Sequence, residues 1–132
     1  MSGFSLLELI VTMAISIILM SVIFPVYTHF QAHANREHAI VALFQLAARL
    51  ENYYALNQTY VGADDLNTNT AQLDQDLSYH LHIAAVTETD YKIEANPIGA
   101  QISHDAACGS LFLNSSNEKS ISGLGDATSC WK

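Results

Sequence analysis

The sequence predicts an α+β protein, a long N-terminal α-helix packed on a small antiparallel β-sheet of three to four strands. Three observations predict it. From Leu9 to Asn35 there is no Asp, Glu, Lys or Arg. Beyond Pro25 apolar residues recur at helical spacing, and beyond Asp76 the period drops to two. The 132 residues suffice for one domain and not two. Five Lys and Arg against 13 Asp and Glu give a net charge of −8, which argues against a groove that neutralises phosphates, so no strong nucleic-acid binding is expected. Half the residues are apolar and 14% are charged, which excludes a disordered acidic tail.

The first element is the anchor, Phe4–Phe24, whose single charge is Glu8. Its 21 residues make a helix of about 31 Å, the thickness of a bilayer core. A cleaved secretory signal is disfavoured: no basic region precedes the apolar run, and no small-residue cleavage site follows it. A plain anchor does not explain Glu8, because a carboxylate at a membrane helix centre costs about 2.5–3.5 kcal/mol, less near the end. The run Gly3-Phe4-Ser5-Leu6-Leu7-Glu8, followed by the apolar stretch and Pro25, closely resembles the processing signature of the type IV pilin superfamily. The resemblance implies cleavage after Gly3 by a prepilin peptidase, N-methylation of Phe4, and packing of the helix into a filament core. Cleavage there creates a positive amine on Phe4, and Glu8, one turn along, is its counter-charge during filament assembly. The leader Met1-Ser2-Gly3 departs from the family's longer, basic leaders.

The helix continues past Pro25. Ile40, Leu43, Phe44, Ala47, Leu50 and Tyr54 form one apolar face, and Arg36, Glu37, Gln45, Arg49 and Asn52 lie mostly off it. A helix from about Ser5 to about Leu56, roughly 78 Å long, needs a partner layer for its second half. Residues 57–76, rich in Asn, Thr, Asp and Gln, read as a loop. Leu77, Tyr79, Leu81 and Ile83 alternate with polar or small residues as a half-buried strand. Tyr91, Ile93 and Ala95 repeat the pattern up to Asn96-Pro97. Leu111 and Leu113 begin a third strand, and Ser115–Glu118 turns into a fourth at Lys119–Ser122.

Cys108 and Cys130 lie 22 apart, and an even pair in an exported chain reads as a disulfide, the alternative being two buried thiols. Closing such a loop contributes about 3 kcal/mol in the chain-entropy description. The head is also similar to the family. Arg49–Tyr54, Asn57–Tyr60, Tyr79–Ile83, Cys108–Leu113 and Cys130-Trp131 resemble the minor pilins of the PilE type in Gram-negative bacteria, where a C-terminal disulfide loop closing the sheet is common.

Other constellations carry little. His29 and His33 share a helix face and His80 and His82 a strand face, but two ligands without a third make no metal site, and none is expected. Asp64, Asp65, Asp74 and Asp76 lack the spacing of a calcium loop. No nucleophile motif and no Gly-rich phosphate loop occur, so neither an enzyme nor a cofactor is expected. The chain therefore divides into a cleaved leader (1–3), a transmembrane and filament-core helix (4–30) and a globular head (31–132). The expected function is that of a pilin, minor rather than major, in pilus assembly and in pilus-dependent adhesion, twitching motility or DNA uptake. Its expected partners are other pilins, the prepilin peptidase, the inner membrane and the pilus assembly platform. The expected location is the inner membrane with a periplasmic head, then the pilus at the cell surface. The alternatives are a type II secretion pseudopilin and a tip pilin whose head binds a ligand.

Overall fold

The computed structural model describes residues 5–66, 70, 73 and 77–132, with the Asp64 side chain left out. One helix, α1 (Leu6–Asn57), runs 52 residues and joins two unlike halves. From Ser5 to Tyr27 every residue is exposed. The most apolar stretch of α1 has a mean hydropathy of 2.6 and no buried residue, and α1 is long and apolar enough to cross a membrane. The hydroxyls of this half bond backwards to the helix: Thr12 donates to the Leu9 carbonyl at 2.9 Å, Ser16 to Thr12 at 2.8 Å and Ser21 to Ile18 at 2.7 Å. Such groups present no unmet donor to hydrocarbon. Pro25 sits inside α1 and cannot donate to the Ser21 carbonyl one turn back. At the far end Gln58 takes a left-handed conformation (φ 57°) and its N–H closes on the Tyr54 carbonyl.

Burial begins at Ala32 and follows Ala32, Arg36, Ala39, Leu43, Leu46 and Leu50, alternating four and three residues, with Ala42 and Ala47 beside this stripe. The expected face was set slightly off. Phe44 is 40% exposed, Ile40 and Tyr54 are half-buried, and Ala39, Ala42 and Leu46 are core residues the expectation lacked. Arg36, expected off the face, lies in the buried stripe at 8% exposure.

The partner layer is a four-stranded antiparallel meander in the order β1-β2-β3-β4: β1 (Tyr79–Val86), β2 (Tyr91–Pro97), β3 (Leu111–Asn114) and β4 (Lys119–Ile121). Leu77, expected to open the first strand, precedes it. The register sets Leu81 against Ala95, Ile83 against Ile93 and Ile93 against Leu113, so one face of the sheet is continuous apolar surface. It packs on the α1 stripe, and Tyr79, Leu81, Ile93, Ala95 and Leu111 are wholly buried there. A bulge at Ala84 shifts the β1–β2 register before Val86 meets Tyr91. Two four-residue helices were not foreseen, α2 (Gln101–His104) and α3 (Ala127–Cys130). Segments that short carry no periodicity to read. A 3-10 turn, Ala63–Leu66, breaks the expected loop. Asp74 and Asp76 of the acidic group lie outside the described residues.

Candidate assembly surface and head contacts

The candidate assembly surface is the first half of α1. Glu8 lies in its first turn, exposed, on a helix whose neighbours Leu7, Ile10 and Val11 are also exposed. Gly3 and Phe4, the expected cleavage and methylation positions, lie outside the described residues. In this single chain no described residue covers the apolar half, so its large side chains, from Leu6 at 77% to Phe24 at 71% exposure, have only a membrane or another chain as cover.

The head is locked to α1 at the point where burial begins. Arg36 Nη1 makes a charged hydrogen bond to Asp105 Oδ1, with both side chains buried. Tyr79 donates its hydroxyl to Asp105 Oδ2 at 2.7 Å. Gln101 Nε2 donates to the Ala32 carbonyl at 2.9 Å, and Asn35 Nδ2 donates to Gln101 Oε1 at 3.1 Å. Five side chains, Asn35 and Arg36 from α1, Tyr79 from β1, Gln101 from α2 and Asp105 just after it, thus bond to one another where the head meets α1. Burial, and after it the bond to Asp105, pushes the Tyr79 phenol well above its ordinary range. Among the buried side-chain polar atoms of the described residues, Arg36 Nε alone has no hydrogen-bond partner. Sequence reasoning missed this lock, although the one charged residue in the 4-3 stripe was a readable signal.

At the C-terminal end Cys108 and Cys130 form a disulfide, with Cα atoms 5.7 Å apart. Among the described residues no cysteine is free. Asp126 caps α3, accepting from the Ser129 hydroxyl and from the Ser129 N–H, each at 2.9 Å, and these bonds, the hydroxyl's first, hold its carboxyl below the usual range. Trp131 follows, donating Nε1–H to the Ser120 carbonyl at 3.1 Å and meeting Phe44 edge-on at 6.2 Å. Gly123 and Gly125 lie directly on the 107–108 backbone, their N–H groups bonded to the Cys108 and Ala107 carbonyls. A Cβ on Gly125 would come within 2.7 Å of the Ala107 carbonyl oxygen. At the opposite end Glu51 accepts from Tyr60 at 3.0 Å, and Tyr60 packs between Tyr54 (4.7 Å) and Tyr91 (5.0 Å). The Tyr53–Tyr54 pair serves helix-to-loop packing, with Tyr53 donating to the Val61 carbonyl at 3.2 Å.

The outer sheet face is polar. His80 and His82 stack at 6.2 Å, and His82 Nε2 lies 3.1 Å from Glu94. Lys92 sits over the Phe112 ring, and Lys119 lies near both Phe44 and Trp131. Among the described residues no group of three His, Cys, Asp or Glu side chains is placed to hold a metal ion.

A family model described as type IV minor pilin ComP, DNA uptake sequence receptor, matches residues 25–112, from Pro25 to the third strand. That is two thirds of the chain. The chain belongs to this family. As a type IV minor pilin it is a pilus protein whose partners are other pilins, and its family is a structural one. The crystal structure of the Neisseria meningitidis non-core minor pilin PilV shares the fold, with a TM-score of 0.56 at 18% identity, covering 71% of this chain and 89% of that one. No curated protein matches the sequence. The family decides for a minor pilin and against the secretion pseudopilin. Its description, a DNA receptor, stands beside a head whose charge led us to expect no strong nucleic-acid binding.

Proposed function

We propose that this minor pilin is held in the inner membrane by residues 4–30, cut between Gly3 and Phe4 by a prepilin peptidase, and added to the pilus by the assembly platform through helix packing. The observation that carries the proposal is the apolar half of α1, exposed from Ser5 to Tyr27 beside a head that buries a core of its own. Burying that surface against neighbouring helices is the gain that drives assembly. Glu8 answers the Phe4 amine that cleavage creates. Co-expression with a prepilin peptidase should remove three residues and leave 129 (132 − 3) beginning at Phe4. Intact mass retaining Met1 in assembled pili would rule the processing out.

The family description favours a second role for the head, contact with DNA during uptake. Of five Lys and Arg residues, Arg36 is spent on Asp105, which leaves at most four for phosphates. Any DNA contact must then be narrow, and specificity must come from base edges. The full chain in a neutral detergent, titrated with duplex DNA at several salt concentrations, should show a log–log salt slope no steeper than about −3.6. Absence of any binding removes the DNA role and leaves the assembly role standing.

A further inference from the structure

The head meets the apolar half of α1 at an underside built from three short segments. Ile98, Gly99 and Ala100 share one hollow with Gln31, Ala32 and Asn35 of α1, and Ala107 and Cys108 share another with His29 and His33. The third segment, Gly123–Gly125, lies on residues 107–108. Three large apolar side chains are uncovered here: Ile98 at 47%, Ile102 at 58%, and Leu124, which is wholly exposed. Leu124 stands between two glycines whose N–H groups bond to the Cys108 and Ala107 carbonyls at 3.0 and 2.8 Å. Cys108 is in turn fixed by its disulfide, so a braced loop holds the leucine out. Charge is missing from the same surface. From Ile98 to Ser110 and from Ser120 to Gly125 the one Asp, Glu, Lys or Arg is Asp105, buried against Arg36. Asp126, which follows, spends its carboxylate on the α3 cap. In a chain of net charge −8 an uncharged patch with three bare aliphatic side chains marks a contact surface.

We propose that this underside rests on the bilayer that α1 crosses, with Leu124, Ile102 and Ile98 seated in the headgroup layer. Position along α1 supports the lipid surface as the occupant. Ala32, where burial begins, lies 26 residues beyond Leu6 (32 − 6), about 39 Å along the helix. A bilayer with its headgroup layers is about 40–45 Å thick. A chain that enters at Leu6 therefore brings Ala32, and the segments packed around it, into the opposite headgroup layer. Tyr27 and Phe30, 60% and 74% exposed, stand at the same level, where aromatic side chains collect. No charge on α1 between Glu8 and Arg36 opposes immersion to that depth. The patch thus continues the surface that the anchor already gives to lipid, and a neutral bilayer suffices for it. Leu56 is exposed too, but lies 24 residues further on (56 − 32), about 36 Å beyond Ala32 along α1. The inference rests on the membrane anchoring proposed above and adds the orientation of the head before assembly.

The test uses the full chain in phosphatidylcholine bicelles, with Ile, Leu and Val methyl signals followed by NMR. One sample carries a spin-labelled lipid, and a second carries a soluble gadolinium chelate. The lipid label should broaden Leu124, Ile102 and Ile98 together with Ile17 of the anchor, and spare Leu56 and Val61. The chelate should do the reverse. Broadening of Ile17 by the lipid label, with Leu124 open to the chelate, would overturn the resting head and leave the anchor standing. An Ile17 signal untouched by the lipid label would overturn the anchor and the inference with it. Protection of Leu124 from both probes would put a second copy of the chain over the patch and overturn the lipid contact. Tethering by α1 alone is separated by Leu124→Asp, a change at a wholly exposed position, with the core signals of Leu43 and Ile93 as the check on folding. A carboxylate there should lift the loop, so that Ile102 and Ile98 lose lipid broadening and gain chelate broadening. Unchanged lipid contact at Ile102 and Ile98 in that variant would overturn the seated leucine.

Discussion

Arg36 and Asp105 show how much a single pair can decide. Removing one partner leaves a buried charge unmatched, at about 3–5 kcal/mol, whereas removing both replaces the pair by apolar packing. Arg36→Met should therefore lower head stability by roughly that amount in denaturant unfolding. Arg36→Met with Asp105→Leu should recover most of the loss, less the bond that Tyr79 gives up. Equal losses in the single and double variants would show that the pair is not the source. The tyrosines give a second test. Burial, then the bond to Glu51, raises Tyr60 to about 12, and burial with the charge of Glu51 raises Tyr91 as well. Their neutral forms are favoured in the folded head. Their contribution is complete below pH 10, the unfolded value, and is lost as the pH rises toward about 12. Alkaline unfolding should set in within that window, and Glu51→Gln should move it to higher pH.

At the scale of elements, α1, the three apolar strand runs and the turn at Ser115–Glu118 were legible because their periods are long or their turn residues characteristic. Asn117 takes a positive φ of 59° in that turn, a conformation asparagine tolerates. What was not legible depends on residues distant in sequence. The rotation of the α1 face by part of a turn is set by which residues the sheet meets. Arg36 was placed off the apolar face because its acceptor lies 69 residues away. Of the two short helices, α3 is fixed by its Asp126 cap and the disulfide at Cys130, and α2, which has no side-chain cap, is held by the bond of Gln101 to the Ala32 carbonyl; neither shows a pattern. The cysteine pair was legible from number and compartment, but its support by Gly123 and Gly125 was not. Cys130→Ser should cost about 2–5 kcal/mol, as is usual for small secreted domains. Gly125→Val should cost stability with the disulfide intact, because its Cβ would collide with a backbone carbonyl that cannot swing away. Thiol labelling of each denatured, unreduced variant separates the two effects.

For the whole molecule the sharpest test is Glu8. A simple anchor gains when a membrane carboxylate is removed, whereas a filament subunit loses the counter-charge of its terminal amine. Glu8→Ala should insert and be cut after Gly3, yet enter sheared pili poorly, because an unmatched buried amine costs about 3–5 kcal/mol. Normal incorporation would leave an anchored domain without the proposed part in assembly. Export and head folding should be unaffected, since Glu8 touches no part of the core.

The disulfide also has a mechanical meaning. A chain pulled between α1 and its C-terminus can pay out its sheet, but the segment between Cys108 and Cys130 is short-circuited by the bond. Extended at about 3.5 Å per residue, that 22-residue interval withholds roughly 75 Å of thread until the bond is reduced. β3, β4 and α3 lie wholly inside it, so under tension the oxidised head keeps a tethered knot at its tail while β1 and β2 give way.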